Sequence, residues 1–355
     1  MREARRSSVV LYALLLSALA ASSLPLAADV VLVTPAPKTL GGIHLTDSGG
    51  LEYFVNSNVT FHTTSSASGA ASDAAYTHPV AADTLNGGTA PATLDDMFDG
   101  YGALCLSTDG SLGPCVVGSP SYAIYNMNGA PTTDTGGRQA VFAPQAVGSL
   151  TLQRKVYVPS TDQFARWLEI VTNSGASPVT VNLIISNNLG SDGRTKIVAT
   201  SSGSLPPSVS DNWVTTFENW TGTTSPKVRI GHVLRATAST AGSGGTLSKV
   251  SFADGDDRPY WAYTVTVPAG QKKVVMHLVT GQPTRAAAAA KAAQLAGGPE
   301  AIFAGMPNDE RAALVNFQGG GVLASEAVPS LGTAGLLGLA VSLAVGGALV
   351  LRRLA

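Results

Sequence analysis

The sequence predicts a mainly β protein: an antiparallel β-sandwich, one large or two smaller, with a short C-terminal helical cap and one transmembrane helix. Three observations predict it. Apolar residues alternate with period two in several runs between residues 150 and 280. The composition suits strands and turns, with 39 Gly and 20 Pro and only 13% charged residues. Each end of the chain carries an apolar run of a different kind from the amphipathic middle.

The two ends are expected to lie outside the folded body. Arg2, Arg5 and Arg6 precede an apolar stretch at 9–21, and small residues follow, with Ala20, Ala27 and Ala28 as cleavage positions. A basic head, an apolar middle and a small-residue exit make residues 1–28 a secretory signal peptide. At the other end, 331–351 runs 21 residues without a charge and closes on Arg352 and Arg353. A helix of that length crosses a ~30 Å hydrocarbon core, with the basic pair on the cytoplasmic side. The expected organisation is a signal peptide (1–28), an extracytoplasmic body (29–318, with an optional internal boundary near 145), a Gly-rich linker (319–327) and a membrane tail (328–355). The body is then exported, anchored first at the cytoplasmic membrane and destined for the periplasm, the cell surface or the medium.

The tail opens on Val328, Pro329, Ser330 and Leu331, with Gly335 four residues further on. A short proline motif, one span and a terminal Arg cluster resemble the PEP-CTERM and IPTL-CTERM sorting signals. The latter read Ile-Pro-Thr-Leu, two variable residues, Trp-Gly. Pro329, Leu331 and Gly335 match, Val328 and Ser330 are close replacements, and Ala334 stands where Trp would be. The resemblance implies a membrane-embedded exosortase-like protease as a processing partner in a Gram-negative cell. It covers 28 residues and says nothing of the body; an unprocessed tail is a plain single-span anchor.

Five of the 22 basic residues and one of the 23 acidic ones lie in the two terminal segments, so 29–327 carries a net charge of about −5. That is a solubility charge and excludes a nucleic-acid footprint. The body's two cysteines, Cys105 and Cys115, flank the turn formers Asp109-Gly110 and Gly113-Pro114. In an oxidising compartment they are expected to form a local disulfide.

Along the body, 30–33 reads as an opening strand and 51–62 as one or two short strands. Residues 63–91 read as a polar surface excursion. Asp95, Asp96 and Asp99 cluster at 94–102, either as oxygen donors for Ca²⁺ or in a solvated turn with Met97 and Phe98 turned to the core. From Leu150 the alternation is clear, with Arg154 an exception on the apolar side. The next strand, 164–172, is apolar on both faces, hence central. Asn173, Gly175 and Pro178 then make a turn into 179–185, which reads as a hairpin partner. The stretch 187–195 is dense in oxygen donors and is a candidate ligand or ion loop through Asn187, Asn188 and Asp192, although the same residues suit left-handed turns. Trp213 and Trp220 are candidates for stacking on a sugar face or for anchoring the core. Asp254, Asp256 and Asp257 form a second acidic cluster before the strand at 260–267, which turns at 268–270 into the returning strand at 272–280. His277, in that last strand, reads as a core histidine with a partner. Thr284 caps an Ala-rich helix stopped by Gly297, Gly298 and Pro299, and a second helix is expected over 308–316.

No pair of histidines has metal-ligand spacing, and neither a nucleophile elbow nor a phosphate-binding loop is present in the sequence. No cofactor is expected beyond Ca²⁺, and no catalytic residue is assigned. Three readings stand: an exported structural or binding protein of the surface or extracellular matrix; a carbohydrate-binding protein; and a carbohydrate-active enzyme using carboxylates such as Asp254, Asp256 and Asp257.

Overall fold

The computed structural model describes residues 43–55, 75–79, 94–116, 119–125, 131–218, 228–238 and 245–317. The signal peptide, the opening strand at 30–33, the linker, the apolar run at 331–351 and the sorting-motif residues Val328, Pro329, Ser330, Leu331, Gly335, Arg352 and Arg353 lie outside the described residues, as does Trp220. Among the described residues, no helix is long and apolar enough to cross a membrane.

The protein is mainly β, and its described strands form three antiparallel sheets. The smallest has the order β1 (Ile43–Thr46), β2 (Glu52–Val55), β3 (Ala75–Pro79), β4 (Leu94–Asp96). A five-strand sheet has the order β16 (Gly245–Ala253), β17 (Asp256–Val267), β12 (Val179–Leu189), β5 (Phe98–Ser107), β6 (Ala123–Ile124). The largest has nine strands. Its order runs β13 (Thr195–Thr200), β14 (Trp213–Glu218), β15 (Arg229–Val233), β18 (Lys272–Gln282), β11 (Ala165–Asn173), β10 (Leu150–Tyr157), β8 (Gln139–Val141), β7 (Thr132–Asp134), and β9 (Gln145–Val147) also pairs with β10.

The alternation seen in the sequence sorts side chains onto two covered faces. Leu152, Val156, Trp167, Val171, Val275 and Val279 of the nine-strand sheet share one core with Leu104, Leu183, Ile185, Trp261, Tyr263 and Val265 of the five-strand sheet. The opposite face of the nine-strand sheet buries Leu168, Ile170, Val274, Met276 and Leu278 against the C-terminal helical segment. This second cover explains why β11 is apolar on both faces.

The first helix, α1 (Arg285–Ala296), starts where expected: Thr284 Oγ1 accepts a hydrogen bond from the Ala287 backbone N–H at 3.1 Å. It buries Ala288, Ala292, Leu295 and Ala296. The strand beneath can approach because Gly231 has no side chain; a Cβ there would meet Ala292 Cβ at 3.1 Å and the Ala288 carbonyl at 3.2 Å.

Four local expectations are corrected. The runs at 164–172 and 179–185 are not a hairpin: β11 pairs with β10 and β18, whereas β12 lies in the five-strand sheet between β17 and β5. The strands at 260–267 and 272–280 divide between the sheets in the same way. Both connections carry the chain from one sheet to the other, because each strand has an apolar face that the opposite sheet can bury. The excursion at 63–91 contains β3, which pairs with both β2 and β4. The second helix, α2 (Asn308–Ala312), is shorter than expected. Beyond it the chain lies beside β18, with the Val274 N–H donating to the Ala313 carbonyl and the Val315 N–H to the Val274 carbonyl.

Candidate functional site

Cys105 and Cys115 are joined in a disulfide, with Cα atoms 5.9 Å apart. Cys105 lies on β5 and Cys115 on the loop that follows. The loop is shaped by Asp109, whose Oδ1 accepts from the Ser107 hydroxyl (2.6 Å) and the Ser111 N–H (2.9 Å). The bridge packs with Ala103, Ile184 and Ala262 on the outer side of the five-strand sheet.

The densest group of titratable side chains lies inside, where the two larger sheets meet. Arg154 on β10 is directly opposite Glu169 on β11. The Arg154 Nε–H approaches the two Glu169 oxygens at 3.0 and 2.9 Å. His277, from β18, places Nε2 at 3.0 Å from Glu169 Oε1. All three side chains have no solvent exposure. Burial pushes the Glu169 carboxyl up, but the Arg154 charge and the hydrogen bonds from His277 and Arg154 outweigh it and hold the group ionised below its ordinary range. Burial drives His277 down, only partly opposed by Glu169, so the imidazole is neutral at pH 7. A neutral ring facing a carboxylate carries its proton on Nε2.

Aromatic rings surround this group. Trp167 stacks on His277 with ring centroids 5.4 Å apart, and Tyr101 lies 5.1 Å from Trp167. The Tyr101 hydroxyl is 2.9 Å from His232 Nδ1, and His232 Nε2 is 3.0 Å from the Thr216 hydroxyl. Burial pushes His232 down to about 3. The sequence places His277 in the core with a partner, and Glu169 is that partner. The pairing of Arg154 with Glu169 was not legible; its one signal was Arg154 interrupting an apolar face.

The two acidic stretches come together at one corner. Gly255 N–H donates to the Thr195 carbonyl at 2.7 Å. Asp254 Oδ1 accepts from the Ile197 N–H at 2.9 Å and its Oδ2 from Lys196 Nζ. Asp257 is buried and pushed up by that burial, with the charges of Asp192 and Asp256 adding to it. Asp256 and Asp257 are successive residues of β17 and alternate between its faces. Arg258 lies 3.5 Å from Asp256 and 3.7 Å from Asp257. Asn187 is engaged by backbone: its Oδ1 accepts from the Gly102 N–H at 2.8 Å and its Nδ2 donates to the Pro259 carbonyl at 2.9 Å. Asn188 is buried beside it, while Asp192 is exposed with φ of 47°. Among the described residues, no group of three or more His, Cys, Asp or Glu is placed to hold a metal ion. The side chains of Asp95, Asp96 and Asp99 lie outside the description.

Trp213 begins β14 opposite Val233 and is half-buried against the outer core. It follows an uncharged loop tip that sequence reasoning passed over. Residues 201–212 fold around Asp211, which accepts from the Ser202 and Ser208 N–H groups, each at 2.9 Å, and from the Ser201 hydroxyl at 3.2 Å. Arg235 holds the loop from below, donating to Asn212 Oδ1 at 2.9 Å and to the Ser210 carbonyl at 2.8 Å. The tip presents Leu205 at 59% exposure and Val209 at 44%, the exposed large hydrophobics among the described residues.

Neither a protein-family model nor a curated protein matches this chain. Several solved structures show partial likeness. A polysaccharide lyase matches with 11% identity over 54% of this chain and 27% of its own, at a TM-score of 0.32. A protein assigned as a kojibiose phosphorylase, from the human microbiome, matches with 11% identity over 74% and 31%, at 0.34. A protein assigned as an aldose 1-epimerase, from Escherichia coli K12, matches with 10% identity over 48% and 75%, at 0.30. The chain spans about a quarter of the length of the polysaccharide lyase. Likeness at this level carries no functional argument.

Proposed function

We propose that this chain is an exported protein of the bacterial cell envelope, a β-sandwich body held outside the cytoplasmic membrane by the apolar run at 331–351, and that it works as a structural or binding component. The observation that carries the reading is the Cys105–Cys115 disulfide, a bond that persists in oxidising compartments. It agrees with the signal-like head and the charge-free run ending in Arg352 and Arg353. The sandwich is supported by the core that the five- and nine-strand sheets share. The burial of Arg154, Glu169, His277 and His232 supports a role in the fold for the charged groups found there.

The tail, with Pro329, Leu331 and Gly335, is proposed as the segment on which an exosortase-like protease acts. The test is fractionation of cells producing the native chain or a chain stopped at Gly321, with the intact mass of each product. Loss of the mass beyond Pro329, with the body moved to the surface or medium, supports a processed signal. A full-length product in the membrane fraction supports a plain anchor and removes the processing step. A product found entirely in the cytoplasm overturns the proposal.

Carbohydrate binding is the second reading, favoured by Trp213, an aromatic side chain that is half-buried and not sealed in the core. The activities named for the matched structures supply the saccharide panel. Saturable binding that Trp213→Ala abolishes supports this reading; binding unchanged in that variant removes Trp213 from it.

A further inference from the structure

We infer that the loop at 201–212 is a second membrane contact, lying on the lipid interface of the bilayer that holds the tail and so orienting the body; this rests on the proposed anchoring of 331–351. Four observations converge. Leu205 and Val209 project from the tip at 59% and 44% exposure. The loop's one ionisable residue, Asp211, is buried, so the tip offers lipid only aliphatic, proline and hydroxyl groups. Its shape is set in advance by the Asp211 and Arg235 hydrogen bonds, so little conformational entropy remains to be lost on contact.

The fourth observation is where the chain leaves the described body. The Asn316 carbonyl accepts from the Ala236 N–H at 3.0 Å, and the Leu234 N–H donates to the Asn212 carbonyl at 2.8 Å. The exit at 317 and the base of the loop are therefore bound to one short segment, 234–236. Thirteen residues, 318–330, separate that exit from the apolar run. Fully extended they reach at most ~45 Å, and a tether this short keeps the loop at high effective concentration beside the membrane. Aliphatic side chains on an uncharged tip then gain by entering the interface.

The experiment uses the full chain in phosphatidylcholine vesicles, with an environment-sensitive fluorophore on Ser208→Cys and, as control, on Ser160→Cys. Labelling is done without reductant so that the disulfide is kept. Ser160 is exposed in the turn between β10 and β11, at the far end of the sheet. The expected result is a blue shift and quenching by spin-labelled lipid at 208, neither at 160, and loss of both when Leu205→Ser and Val209→Ser are added. An alkaline carbonate wash separates the two layers of the argument. A chain that washes off overturns the anchor and this inference with it. A chain that stays while the 208 probe remains in water overturns the inference alone. A 208 probe that responds to saccharide and not to lipid overturns it in favour of carbohydrate binding.

Discussion

His232 offers a test in which the two large sheets report on their own contact. It sits on β15 with no solvent exposure, between the Tyr101 hydroxyl of the facing sheet and the Thr216 hydroxyl of its neighbour. Burial lowers it from 6.5 to about 3. Between those values the unfolded chain binds a proton that the folded chain does not, so stability is full above about pH 6.5 and is lost as pH falls toward 3. Over pH 7 to 4.5 this comes to about 2.5 kcal/mol. The wild-type curve alone will not show it, because Asp47 works in the opposite direction. Burial raises that carboxyl from 3.8 to about 7, although its Oδ1 accepts from the Gly49 and Leu51 N–H groups. Its contribution is fully present below pH 3.8 and is lost as pH rises through about 7. The informative quantity is therefore a difference. His232→Gln keeps a polar side chain and does not titrate. Urea unfolding of both proteins at pH 7 and 4.5 is expected to show the wild-type advantage shrinking by about 2.5 kcal/mol. An advantage that is the same at both pH values, with equal urea slopes, refutes the argument that His232 is held neutral by burial.

Three further outcomes follow from the same structure. Glu169→Gln leaves the Arg154 guanidinium buried without its counter-charge and is expected to cost about 3–5 kcal/mol in urea unfolding. Replacing both Cys105 and Cys115 by Ser opens a loop with a sequence separation of 10; the expected loss is about 2–3 kcal/mol, with wild type and variant equal under reductant. Thr284→Ala removes the hydrogen bond to the Ala287 N–H and is expected to cost about 1 kcal/mol, read as a lower thermal midpoint.

How much of this was legible in the sequence depends on the range of the interaction concerned. Alternation is local: Trp261, Tyr263, Val265 and Val267 stand at every second position and share a buried face of β17. It also marked β11 as a strand covered twice. Alternation assigns a side chain to a face and leaves its neighbour undetermined. Glu169 and Arg154 are 15 residues apart and His277 is 108 residues from Glu169, so only the order of β10, β11 and β18 brings the three together. Turn chemistry has the same limit. Asn173, Gly175 and Pro178 suit a hairpin, yet Asn173 Nδ2 donates both to the Ser177 carbonyl and to the Val267 carbonyl of the other sheet. The turn is thereby tied across the core, and its residues are the ones a hairpin would also use. The loop at 201–212 is the opposite case. It has no periodicity, and its order comes from one buried carboxylate gathering backbone N–H groups from both sides of the tip. Asp211 reads in the sequence as one more polar turn residue, because the chain must close on itself before its oxygens have anything to accept. The candidate sites divide along this line. The disulfide is a local closure and was legible. The sealed charges of the core and the meeting of Asp192 with Asp257 needed the three-dimensional pairing of distant strands.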